Sequence, residues 1–98
     1  MLDKLTTEDF EPHLGEVFYI QAEGLEPLEA ELIEVMTLSS GPTEGRRPFS
    51  IVLRTGQQDS YLGQAIYRVG HEALGTLDLF LVPLGPDGQG MRYEAVFT

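Results

Sequence analysis

Residues 76–97, TLDLFLVPLGPDGQGMRYEAVF, read as two β-strands joined by a reversal rich in Gly, Pro and Asp. Leu77, Leu79 and Leu81 point one way and Thr76, Asp78 and Phe80 the other, the period-2 signature of a half-buried strand. Pro83 has no N–H to give to a ladder and is expected to end that strand. On the return, Met91, Tyr93, Ala95 and Phe97 share one face while Arg92 and Glu94 share the opposite one. Between the two runs Gly85, Pro86, Asp87, Gly88 and Gly90 supply the backbone freedom and preset dihedrals of turns.

Working outward from this hairpin, the same alternation recurs. Leu28, Ala30 and Leu32 face one way and Glu29 and Glu31 the other, after which Ile33, Val35 and Met36 blur the pattern; a β-bulge near Ile33 reconciles them. Helix is the competing reading for residues 26–36, because Glu, Leu and Ala all favour it. VFYIQA over residues 17–22 is a β-branched and aromatic run broken by Glu23-Gly24-Leu25-Glu26-Pro27. Phe49, Ile51 and Leu53 alternate with Ser50, Val52 and Arg54. Residues 61–69 form a further strand, with Ala65, Tyr67 and Val69 opposite Ile66 and Arg68, and residues 70–75 reverse the chain. SSGPTEGRRP, residues 39–48, reads as a mobile loop. At the amino terminus Thr6 and Asp9 have capping-box spacing. A short helical turn near residues 7–14 follows, anchored by Leu5, Phe10 and Leu14 and ended by Gly15, as a plug or lid on the sheet.

Six short strands with short connections and no long helical period make an all-β antiparallel meander in one domain, residues 1–98. A small barrel is expected, since closure removes exposed edges. A two-sheet sandwich is the alternative.

Sixteen acidic residues against six basic ones give a net charge of −10, which repels phosphate backbones and anionic lipid and excludes nucleic acid and membranes as expected partners. The chain has no cysteine, hence no disulfide framework, thiolate metal site or thiol nucleophile. MLDKLTTEDF lacks a long apolar run and carries acids early, which is the pattern of a soluble, cytoplasmic chain.

The segments LTTEDFEPHLGEVFYI, RRPFSIVLRT and YRVGHEALGTLDLFLVPLGPDGQGMRYEAVF together resemble a family of small bacterial proteins known as domain of unknown function 6916. The resemblance covers nearly the whole chain. It implies a shared fold and supplies no catalytic residues. It also implies genomic company with proteins bearing phage-tail-collar domains, and so an accessory role in a tail-like assembly.

No catalytic or cofactor constellation assembles from the residues. His13 and His71, with Glu11, Glu16 and Glu72 nearby in sequence, form a metal site only if the fold joins two separate loops, and neither has HExxH or similar spacing. His71 is better read as holding its own turn by a hydrogen bond. Ser39, Ser40, Ser50 and Ser60 lack a nucleophile-elbow context. Asp87 among glycines lacks the repeated acidic ligands of a calcium loop and reads as a hairpin turn. No metal, cofactor or enzymatic activity is therefore expected.

What remains is a non-catalytic protein-interaction or assembly module. Its expected contact residues are Phe80, Val82 and Val96 on the outward face of the final hairpin, with the basic doublet Arg46 and Arg47. Phe80 opposes Leu79 and Leu81, so it is either covered by a second layer, the commoner outcome for so large a side chain, or exposed for contact. A small-ligand-binding barrel is the alternative, motivated by aromatic and leucine-rich faces that can line a cavity as well as fill a core. An open edge or the aromatic face also offers a route to a homodimer.

Overall fold

The computed structural model describes residues 5–38, 48–56 and 62–97. A four-residue helix, α1 (Thr7–Phe10), runs into a 3-10 turn over Glu11–His13. Six strands follow: β1 (Val17–Gln21), β2 (Leu28–Thr37), β3 (Phe49–Thr55), β4 (Ala65–His71), β5 (Gly75–Pro86) and β6 (Met91–Phe97). All pair antiparallel in a closed barrel of order β1-β2-β3-β6-β5-β4. Two three-stranded meanders, β1–β2–β3 and β4–β5–β6, dock through the β3–β6 ladder and through Tyr19–Gly70, Ile20–Val69 and Gln21–Arg68 between β1 and β4. Closure into a barrel decides against the sandwich.

Alternation places the core as the sequence indicates. Phe18, Ile20, Ala30, Leu32, Phe49, Ile51, Leu53, Val69, Leu77, Leu79, Leu81, Tyr93 and Ala95 all turn inward and are nearly inaccessible. One end of the barrel is stoppered from outside the sheet. The capping box between Thr6 and Asp9 starts α1, and Phe10 then drops into the mouth. Its ring lies 5.4 Å from Phe97, 5.9 Å from Phe49 and 6.5 Å from Phe18, fully buried. Burying an aromatic ring of this size stabilises by about 1.5–3 kcal/mol.

Two bulges set which residues face outward. The β2–β3 register shifts between Leu32 and Glu34, so Ile33 is the extra residue expected there. Strict alternation from Leu28, Ala30 and Leu32 points Glu34 and Met36 into the core. The inserted residue reverses the parity, turning Val35 toward the core and Glu34 and Met36 to solvent. The second shift lies between Pro83 and Gly85 on β5. Here the expected strand end at Pro83 is corrected: β5 continues to Pro86. The β4 ladder on β5 stops at Leu81, so Pro83 withholds no hydrogen bond from it. Gly85, at φ +103°, supplies a backbone conformation that a bulge needs.

The β5–β6 turn has the tight form its glycines suggest. Asp87 Oδ1 accepts the Gln89 and Gly90 amides at 2.9 and 3.1 Å, and Oδ2 accepts Arg54 Nη1 at 3.0 Å. These bonds, led by the Gln89 amide, hold the Asp87 carboxyl below its ordinary range. A Cβ at Gly90 would overlap the backbone carbonyl of Thr55.

Candidate functional site

Two features outside the core are the candidates for a site. The first is a cluster at the plugged end. Glu16 lies two residues before the inward-facing Phe18, and its ladder with Leu32 extends β1: Gly15 N–H donates to Leu32 O at 2.8 Å and Leu32 N–H to Glu16 O at 3.0 Å. On β4 the inward parity of Val69 continues to His71, which is buried with its ring 4.4 Å from Phe18. Parity on two strands therefore aims Glu16 and His71 at the same mouth. The 3-10 turn adds His13, whose ring is 4.5 Å from that of His71.

Glu16 Oε1 takes a hydrogen bond from each histidine, at 2.8 Å from His71 Nε2 and 2.9 Å from His13 Nδ1. The His71 bond, then the His13 bond, hold the Glu16 carboxyl below its ordinary value of 4.5. Sequence reasoning leaves the two histidines in separate loops. The structure brings them together with Glu16, all three ligand-type atoms lying within 4.8 Å of one another.

The hydrogen bonds decide what this cluster is. His71 Nδ1 accepts the amides of Ala73 and Leu74 at 3.0 and 3.2 Å, so the expected turn-holding role is present, and Nδ1 carries no proton. The neutral ring's proton then sits on Nε2 and is donated to Glu16. A divalent ion ligated by Nε2 requires the proton on Nδ1, where it would face two amide hydrogens. The geometry is thus a clamp joining the 3-10 turn, β1 and β4, and not a prepared three-ligand metal site. His13 Nδ1–H on Glu16 is the orienting half of a triad, but Ser50 is buried on β3 and Ser39, Ser40 and Ser60 lie outside the described residues.

The second feature is on the outer wall. Phe80 is 49% exposed, so among the described residues no second layer buries it and the expectation of one is corrected. Ile66, its direct partner across the β4–β5 ladder, is 69% exposed. Val96 is 52% and Met36 46% exposed. Cross-strand register links Met36 to Ser50 and Ser50 to Val96. Val96 and Phe80 each lie two residues beyond the Val82–Glu94 pair of the β5–β6 ladder. An apolar belt thus crosses β2, β3, β6, β5 and β4, with the small Ser50 recessed within it. Val82 is half-buried beside it. Of the expected contact residues, Phe80, Val82 and Val96 share this wall, while Arg46 and Arg47 lie outside the described residues. Met36 and Ile66 were missed in the sequence. The parity reversal at Ile33 hides the first, and the second shows only once it is paired with Phe80.

No helix among the described residues is long and apolar enough to cross a membrane. No curated protein and no solved structure matches the chain. A family model does, over residues 5–97, and on that match the chain belongs to the family DUF6916, a domain of unknown function.

Proposed function

We propose that this domain is a non-catalytic protein-interaction module, an accessory piece of a larger cytoplasmic assembly. The tail-collar company implied by the family resemblance gives a phage-tail-like assembly as the class to look in. The single observation that supports the reading best is the outer belt: Met36 on β2, Val96 on β6, Phe80 on β5 and Ile66 on β4 stand at 46% exposure or more in one cross-strand row, and exposed apolar patches mark protein contact surfaces.

The small-ligand alternative is weakened by the interior. Tyr93, Phe10, Phe18, Phe49, Ile51, Leu53, Leu79 and Leu81 fill the barrel with fully buried side chains, as six short strands should. Affinity purification of the tagged chain from its native cells, beside a Phe80→Glu variant, tests the proposal. One stoichiometric partner lost in the variant is expected; no partner in either sample overturns the reading.

A further inference from the structure

We propose that the outer wall over β2, β3, β6 and β5 docks a different protein whose surface is apolar at its centre and carries lysine or arginine side chains opposite Glu34 and Glu94. This rests on the interaction-module reading and adds the surface and the chemistry of the partner.

The argument starts at Val52. It faces outward on β3, yet is 5% exposed, and it is paired in register with Glu34 on one side and Glu94 on the other. Two strand spacings put those glutamates about 10 Å apart at the backbone. One step along the strands lies the next outward row, Met36, Ser50 and Val96, so the two acids border the apolar belt directly.

The described arginines are already engaged elsewhere. Arg54 pairs with Asp87 at 3.0 Å and Glu31 at 3.4 Å, Arg68 lies 3.8 Å from Asp78, and Arg92 donates to Gly85 O. Glu34 and Glu94 have no cationic partner among the described residues. No described arginine forms an ion pair with either carboxylate, and lysine or arginine side chains on a partner would supply that counter-charge beside the apolar belt.

A second copy of this chain is the wrong occupant. Each copy carries −10 and brings the same two glutamates to the contact, so association sets like charges against one another. The parity reversal at Ile33 gives the arrangement its structural basis, since it is what turns Glu34 and Met36 outward together.

The test uses the full chain in its native cells, with the photo-crosslinking residue p-benzoylphenylalanine in place of Phe80 and, separately, in place of Tyr19. Tyr19 is 46% exposed on β1, three strands from β6 in either direction around the barrel. Crosslinking from position 80 to one other protein is expected, through a segment containing apolar residues and lysine or arginine. The pair Glu34→Gln and Glu94→Gln, with an unchanged melting temperature, is expected to lower the yield about tenfold. A crosslink to a second copy, a crosslinked segment without basic residues, or an undiminished yield in the double variant overturns the proposal. Crosslinking at position 19 alone also overturns it while leaving the interaction-module reading intact, and none at either position overturns both.

Discussion

Glu16 Oε1 and His71 Nε2 lie 2.8 Å apart although 55 positions separate them in sequence. That one hydrogen bond ties the segment carrying the Phe10 stopper to the β4–β5 hairpin. The stopper is therefore held by a polar clamp at its rim as well as by the aromatic rings beneath it.

The clamp has a pH dependence of definite sign. The folded carboxyl of Glu16 titrates below 4.5, chiefly through the His71 bond, so the native state favours the ionised form. Its contribution is present above the unfolded value and is lost as pH falls through the folded one. Melting temperatures of the parent and a Glu16→Ala variant, followed from about pH 7 to about pH 3, are expected to differ at neutral pH and converge below 4.5. A gap that persists undiminished to the acid end contradicts the clamp.

The proton placement on His71 makes a second prediction. Because Nδ1 is committed to two amides, an approximately tenfold molar excess of Zn²⁺ should leave the melting temperature unchanged, whereas a ligand binding only the native state raises it. A rise of several degrees that Glu16→Ala abolishes would show that the cluster rearranges to bind metal.

Phe10 and Phe80 test the division between interior and wall. Phe10→Ala empties the stoppered mouth and is expected to cost roughly 3–5 kcal/mol in urea unfolding. Phe80→Ala removes an exposed ring and is expected to cost less than about 1 kcal/mol. Comparable losses would mean that Phe80 is buried in solution by something the fold does not show.

The alternation of residues 76–97, the Thr6–Asp9 capping box and the bulge at Ile33 were all legible, because each is a local rule acting within a few residues. The turn-holding role of His71 was legible for the same reason. The meeting of Glu16 with His71 was not, since it depends on the β1–β4 ladder that closes the barrel, and pairing between distant strands leaves no mark in either strand alone. A signal existed nonetheless. Glu16 keeps the parity of Phe18 and Ile20, and His71 that of Val69, so extending alternation one step past each strand places both at an inner mouth. Pro83 misled because a bulge, rather than a strand end, accommodates it.

Deleting Ile33 removes the bulge and leaves Leu32, Glu34, Val35 and Met36 in plain alternation opposite Leu53, Val52, Ile51 and Ser50, each on the face it holds in the parent. We expect the deletion to keep cooperative unfolding at a cost of no more than about 1–3 kcal/mol. Loss of the cooperative circular dichroism melt would contradict Ile33 as the extra residue.

Gly90→Ala sets a Cβ against the Thr55 carbonyl. Both groups are backbone, so neither yields by a rotamer change, and a loss of about 1–3 kcal/mol or more is expected. Gly63→Ala, where a Cβ meets nothing within 4 Å, is the control and should be nearly neutral.

The most direct test of the central claim, that the interior serves stability and the outer wall serves binding, is hydroxyl-radical footprinting of the chain alone and with its co-purified partner. Protection of Met36, Ile66 and Phe80 in the complex, with Tyr19 and Leu25 unchanged, is the predicted result. Protection of Tyr19 and Leu25 with Met36, Ile66 and Phe80 unaltered would contradict it.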